Sequence, residues 1–354
     1  MQPDRLLLPF VHLLPPEQAH ALGLWALKRS LLPSAPITPN PFLEQKLFGL
    51  PFANPVGLAA GFDKNAEATG PLLRQGFGFV EAGTVTPLPQ EGNPAPRMFR
   101  LKKDAAVINR LGFNNKGIDA FVHSLSAREK GGIVGANIGK NKNAEDAIGD
   151  YVTCLNAVYA YADYIAINIS SPNTQGLRTL QKREQLTQLL TTLMTARNRH
   201  IAAQGKKVPL LLKIAPDLSE PEMEDVADVA LSLAVDGIII SNTTIKRPRT
   251  LQSSLHGEQG GLSGAPLFAL STEVLARMYV LTKGAIPLVG VGGISTAQDA
   301  YKKIRAGASL VQLYTALVYQ GFGVVRDIVE GLPVLLAKDG FAHISDAVGV
   351  DHAL

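Results

Sequence analysis

Ala166-Ile167-Asn168-Ile169-Ser170-Ser171-Pro172-Asn173-Thr174 begins as an apolar, strand-like run and turns polar at Asn168, Ser170, Ser171 and Asn173, where Pro172 stops it from continuing. A buried strand thus delivers polar groups at its carboxyl end. In an α/β barrel the loops leaving those ends converge on the chemical face, so this stretch points to that architecture.

Working outward, seven further apolar runs fall at 55–60, 77–83, 133–138, 210–214, 237–241, 287–291 and 310–313. They alternate with helical stretches at 64–75, 116–129, 144–161, 178–204, 219–234, 267–283, 295–306 and 316–330, several opened by Asp, Ser or Thr caps. Eight such units predict an α/β fold, a (β/α)8 TIM barrel. Segment 96–109 fits none of them. Its two short apolar pieces, 97–101 and 105–109, flank a charged turn and predict a small β-hairpin inserted after the second strand, over the barrel mouth.

The chain has 354 residues, 46% hydrophobic and 18% charged, enough for a sizeable core, and a formal charge of +4 that favours acidic small molecules or an anionic membrane surface. There is no nucleic-acid motif. Cys154 stands alone, which excludes an intramolecular disulfide, and the seven histidines are too scattered for a spaced metal motif, so no metal is expected.

Residues 1–40 differ from the rest. The apolar stretch 6–14 and a segment opened by Pro16 and running to about Leu32 predict two short helices. The second is amphipathic, with Trp25 at its apolar edge and the Lys28-Arg29 pair at one end, as suits a membrane interface. A helical cap packed on its own domain fits that pattern equally well. Neither segment is long enough to span a bilayer, and the prolines break any signal-peptide core. The expected division is an extension at 1–40, a barrel domain at 41–340 and a tail at 341–354.

The polar residues at strand ends are rich in amides and poor in acids: Asn137, Asn168, Lys213 and Ser241-Asn242-Thr243-Thr244. Amides both donate and accept, which suits planar heterocycles such as flavins and pyrimidines, whereas glycosidase chemistry needs two facing carboxylates. Any single Asn here could be a loop cap; several at one barrel end favour a ligand. Gly260-Gly261-Leu262-Ser263-Gly264 and Gly290-Val291-Gly292-Gly293-Ile294-Ser295 add glycine turns where barrels bind phosphate. Phosphate plus ring-binding amides reads as flavin mononucleotide.

Six ordered motifs carry a resemblance over about residues 9–332: Asn54–Lys64, Asn109–Asn115, Asn137–Asn141, Asn168–Thr174, Lys213–Asp217 and Gly290–Ile294. Together they resemble the dihydroorotate dehydrogenases, in particular the class 2, quinone-reducing, membrane-associated branch. Serine at 171, where the soluble class 1 enzymes carry cysteine, and the helical extension select that branch.

The resemblance implies oxidation of dihydroorotate to orotate in pyrimidine biosynthesis. Ser171 would take a proton from C5 while the C6 hydride passes to N5 of FMN, with Phe113 and Thr174 along a proton relay. Lys64, Asn109, Asn168, Asn173, Asn242 and Thr243 would hold the substrate, beside the Arg110-Leu111-Gly112-Phe113 segment. FMN would rest on Ala60, Gly61, Thr84, Asn137, Asn168, Lys213, Ser241, Gly264, Gly293, Tyr314 and Thr315. His20, Arg100 and Tyr314 would line a quinone tunnel, and residues 1–40 would seat the protein on the cytoplasmic face of a bacterial membrane with no obligatory protein partner. Two other readings stay open: a soluble flavin-dependent enzyme acting on another pyrimidine with another acceptor, and a non-catalytic, membrane-associated flavin-binding protein.

Overall fold

The eight apolar runs hydrogen-bond in parallel and close on themselves in chain order, as Val56–Leu58, Phe79–Val85, Ile133–Ile138, Tyr164–Asn168, Leu210–Ile214, Gly237–Ile240, Leu288–Val291 and Ala308–Leu313. The computed structural model describes residues 8–35 and 37–352. Every residue of these eight strands is buried, because helices cover the outside and side chains fill the inside. This is the (β/α)8 barrel that the alternation predicts.

Aromatic rings fill the amino end of the barrel. Phe79 and Tyr164 project inward beside Phe52, whose ring lies 5.3 Å from that of Phe79. They need room: a Cβ at Gly57 would fall 2.3 Å from the Phe79 ring, and one at Gly135 would fall 2.1 Å from the Tyr164 ring. Phe52 arrives on an antiparallel pair, Gln45–Leu47 with Leu50–Phe52, that the sequence analysis did not read. The aromatic plug closes one end and leaves the carboxyl end for the site.

Three expectations need correction. The predicted helix 64–75 shrinks to Thr69–Leu73, because Ala66 adopts a left-handed φ of 56° and the Asp63 carboxylate accepts the N–H groups of Glu67 and Ala68 in a turn. The predicted helix 316–330 is two helices, Thr315–Gln320 and Gly323–Asp339, broken at Gly321, whose φ is 69°. The hairpin forms, as Met98–Leu101 with Ala106–Asn109, but Gly261–Gly264 adds a third antiparallel strand to it. The first glycine segment is therefore a strand rather than a free turn.

Residues 8–11 and Pro16–Lys28 are helical, so both predicted N-terminal helices have counterparts; positions 6 and 7 lie outside the described residues. The second helix ends at Lys28, short of Leu32. It is tied to the rest of the chain by Glu17 to Arg97 at 3.0 Å and Lys28 to Glu67 at 2.9 Å. Phe10, Leu13, Leu22, Trp25 and Leu31 remain exposed. Among the described residues no helix is long and apolar enough to cross a membrane. The far end of the chain folds back on the barrel: Ile344 N–H donates to Phe42 O at 2.8 Å, and Asp351 pairs with Arg305 at 2.6 Å.

Candidate active site

Asn168 is the last residue of the fourth barrel strand, level in register with Lys213 on the fifth. Its amide sits at the centre of a chain of polar groups at the carboxyl end. Asn168 Nδ2 donates to Thr84 Oγ1 at 2.9 Å and to Asn137 Oδ1 at 3.2 Å, and Thr84 Oγ1 donates to Asn137 Oδ1 at 2.5 Å. Asn242 Nδ2 reaches Asn168 Oδ1 at 3.3 Å and Ser170 Oγ at 3.0 Å. Strand ends thus bring together amides that lie far apart in the chain. Buried amides paired in this way hold fixed donor and acceptor directions.

Beyond the fourth strand, Ser170 and Ser171 part company. Ser170 donates to Asn168 Oδ1 and is fully buried, whereas Ser171 lines the cavity at the barrel mouth. The one hydrogen bond Ser171 Oγ makes among the described residues is accepted from Asn173 N–H at 3.3 Å. Asn173 Nδ2 donates to the carbonyl and the side-chain oxygen of Asn109 at 3.1 and 3.2 Å, joining the loop to the small sheet above it. Thr174 Oγ1, three residues further along the same loop, is buried without a hydrogen-bond partner among the described residues.

Arg178 pins this loop. Its guanidinium donates to Ser170 O at 3.0 Å, to Asp217 Oδ2 at 2.8 Å and to Thr243 O at 3.0 Å, binding the loops after the fourth, fifth and sixth strands to one another. Thr244 Oγ1 donates to the other oxygen of Asp217. Sequence reasoning missed Arg178. It missed Glu81 and Gln312 as well, both fully buried inside the barrel under the amides. A lone acid in the apolar run Phe79-Val80-Glu81-Ala82 was the available signal.

A cavity of 620 Å³ takes in Ala60, Gly61, Lys64, Thr84, Asn168, Ser171, Asn173, Lys213, Ser241, Asn242, Thr243, Gly264, Gly293, Tyr314 and Thr315. Asn109, Leu111, Gly112 and Phe113 line it too, and it continues without a break to His20, Arg100 and the inner side of the N-terminal helices, including Leu8, Val11, Ala19 and Gly23. Asn137 lies one layer below its wall, fully buried. Arg110 turns away: it pairs with Glu258 at 2.7 Å, stacks 4.6 Å from the centre of the Phe99 ring and borders a separate, more open cavity on the far side of Asn173. Arg247, in the basic run 246–249, is also committed, donating to the carbonyls of Glu258 and Gly260 at 2.8 and 2.7 Å.

Electrostatics divide the cavity. Desolvation pulls the Lys64 ammonium down to about 8, opposed in part by Glu17, so it carries its charge at neutral pH and is poised to lose it just above. Burial, aided by the charge of Lys64, pushes His20 down to about 3, so its ring is neutral at physiological pH. Burial raises the Tyr314 phenol, whose oxygen lies 3.4 Å from His20 Nδ1. The end of the cavity beside the N-terminal helices therefore holds neutral rings next to the half-buried guanidinium of Arg100, which donates to Leu14 O.

Comparison with known proteins follows the same lines. A family model described as dihydroorotate dehydrogenase matches residues 42–336. Proteins named dihydroorotate dehydrogenase (quinone) from Azorhizobium caulinodans and Xanthobacter autotrophicus are 54% and 53% identical to this chain, each match covering 98% of this chain and 98% of that protein. Two crystal structures of DHODH from Eimeria tenella, one in complex with ferulenol and one ligand-free, superpose with TM-scores of 0.91 at 44% and 46% identity. Each covers 96% of this chain, and the chain covers 96% and 100% of theirs. A family model spanning most of the sequence, and relatives above half identity along nearly all of it, establish that the chain belongs to the dihydroorotate dehydrogenase family.

Proposed function

We propose that this protein oxidises (S)-dihydroorotate to orotate, with FMN as hydride acceptor and a membrane quinone as final electron acceptor, in pyrimidine synthesis. One observation carries the reading: a single cavity runs from Ser171 and the amide cluster to the apolar inner side of the N-terminal helices. Substrate chemistry and electron disposal can share one cofactor only if both routes reach it.

The residues fit FMN. A Cβ at Gly264 would lie 2.3 Å from Ala105 O and one at Gly293 would lie 2.5 Å from the Phe268 Cβ; both have positive φ, so only glycine leaves the backbone amides open for a phosphate. Buried Gln312 Oε1 has no partner among the described residues, and Lys213 brings a cation to the same floor. Bound FMN supplies the acceptor for the C6 hydride and the relay of electrons to quinone.

Ser171 removes the C5 proton. A serine hydroxyl is a poor base in water, and the closed loop that Arg178 holds excludes water and aims Oγ. Thr174 Oγ1 passes the proton onward toward solvent, and Phe113, which carries no proton itself, helps to hold the relay path. Lys64 binds the substrate carboxylate, and Asn109, Asn173, Asn242 and Thr243 present N–H and C=O groups to the ring edges. Leu111 and Gly112 close over it. Asn137 and Thr84 orient Asn168 between substrate and flavin. The Pro16–Lys28 helix sits on the cytoplasmic face of a bacterial membrane with its Trp25 and Leu22, and Leu13 from the turn before it, toward the lipid, and a quinone passes His20, Arg100 and Tyr314 to the flavin edge.

The purified protein should be yellow, and anaerobic dihydroorotate should bleach it. Added quinone should then restore the colour, and fumarate should not. Recovery with fumarate, or no bleaching by dihydroorotate, contradicts the proposal.

A further inference from the structure

Glu81 is the third residue of the second barrel strand and lies fully buried on the barrel axis. Four strands reach it. Its Oε1 accepts from Asn137 Nδ2 at 2.8 Å and from Lys213 Nζ at 3.4 Å; its Oε2 accepts from Gln312 Nε2 at 2.8 Å and from the Tyr164 hydroxyl at 3.1 Å. All four partners are themselves at least nine-tenths buried.

Three of the four bonds fix a group that faces upward. Binding the Asn137 N–H turns Asn137 Oδ1 toward Thr84 and Asn168. Taking the Gln312 N–H leaves Gln312 Oε1 bare at the cavity, since an amide can present only one end in each direction. Holding one N–H of Lys213 leaves two others for a ligand. The carboxylate also sets a charge: it is the acidic partner of Lys213, and both sit where low dielectric makes charge interactions strong.

A buried ion pair of this kind is seldom retained for stability, because well-packed apolar residues often do as well. We propose that Glu81 is a positioning residue of the flavin site, orienting Lys213, Asn137 and Gln312 and holding the reduction potential of the bound flavin below the value Lys213 alone would give. This rests on the reading that flavin occupies the cavity above them. A flavin gains negative charge on reduction. Lys213 favours that charge, and Glu81 opposes it. The balance keeps electrons mobile toward quinone rather than trapped on a cation-stabilised reduced ring.

The test is anaerobic reductive titration of the purified holoenzyme against a reference dye, which reads the potential and not turnover. Glu81→Gln should keep the flavin and shift the two-electron equilibrium toward the reduced form at least tenfold, about 30 mV. Tyr164→Phe removes a neutral donor from the same carboxylate and should shift it less than about threefold. If Glu81→Gln fails to fold or to hold flavin, Glu81→Asp takes its place; its carboxylate is drawn back from Lys213 by one methylene and should shift the equilibrium in the same direction by at least about threefold. An unchanged potential in the variant that holds flavin overturns the proposal, as does a Tyr164→Phe shift equal to that of the Glu81 variant. Parent protein that holds no flavin overturns the flavin reading instead.

Discussion

Among single residues, function depends on which polar atoms are already hydrogen-bonded within the protein and which face the cavity. Ser170 is consumed by Asn168, whereas Ser171 faces the cavity with one weak bond, so the two adjacent serines have separate work. Ser171→Ala should leave flavin bound and slow its reduction by dihydroorotate by at least about two orders of magnitude, the usual contribution of a positioned base. Cysteine at 171 should keep part of the activity with a shifted pH profile. Single-turnover stopped flow decides, and parent-like reduction in the alanine variant excludes Ser171 as the base. Lys64 gives a pH test. Burial lowers its ammonium to about 8, so the cation is present below that pH and is lost as pH rises through it. The KM for the anionic substrate should therefore be flat below about 8 and climb above it. Lys64→Met should raise KM about tenfold or more at neutral pH, as expected for a lost hydrogen bond to a charged group, and should remove the inflection. Asn168, Lys213 and Asn242 were legible in the sequence because each closes or abuts an apolar run, where a polar residue needs a reason. Glu81 showed only as a lone acid in an apolar run, since the sequence does not say that four other strands aim donors at it.

At the scale of elements, the loops after the fourth, fifth and sixth strands act together because Arg178 and Asp217 join them. Arg178→Met leaves Asp217, whose side chain is only 8% exposed, without its cation. The cost should be about 1–3 kcal/mol, the range for a buried polar group left unsatisfied. Denaturant unfolding measures that loss, and flavin reduction should slow as Ser171 and Asn173 lose their placement; unchanged stability and rate would show that the clamp is incidental. Strands and long helices were legible because their periodicity is local. The elements that sequence reasoning misjudged depend on distant partners or on one backbone angle: Gly261–Gly264 becomes a strand only because Ala106–Asn109 offers an edge, and Gly321 divides a continuous apolar pattern by its positive φ. The hairpin at 45–52 is too short to stand out before the open end of a barrel is there to be filled.

At the scale of the whole molecule, eight alternations made the barrel legible, and the carboxyl-end rule located the site. The path from that site to the N-terminal helices came only from the family resemblance and not from composition or periodicity, because a cavity is a property of packing between segments far apart in sequence. The same geometry separates the two halves of the reaction. The residues proposed to hold dihydroorotate and flavin belong to the barrel top, whereas the extension contributes the exposed Phe10, Leu13, Leu22, Trp25 and Leu31 and the far wall of the cavity. An exposed apolar set of this kind suits a lipid surface. If one flavin serves two routes, stopped-flow measurement of each half-reaction on protein lacking residues 1–40 and still carrying flavin separates them. Reduction by dihydroorotate should persist near the parent rate while reoxidation by quinone and binding to anionic liposomes collapse; equal loss of both half-reactions, or undiminished quinone reoxidation, would contradict the account.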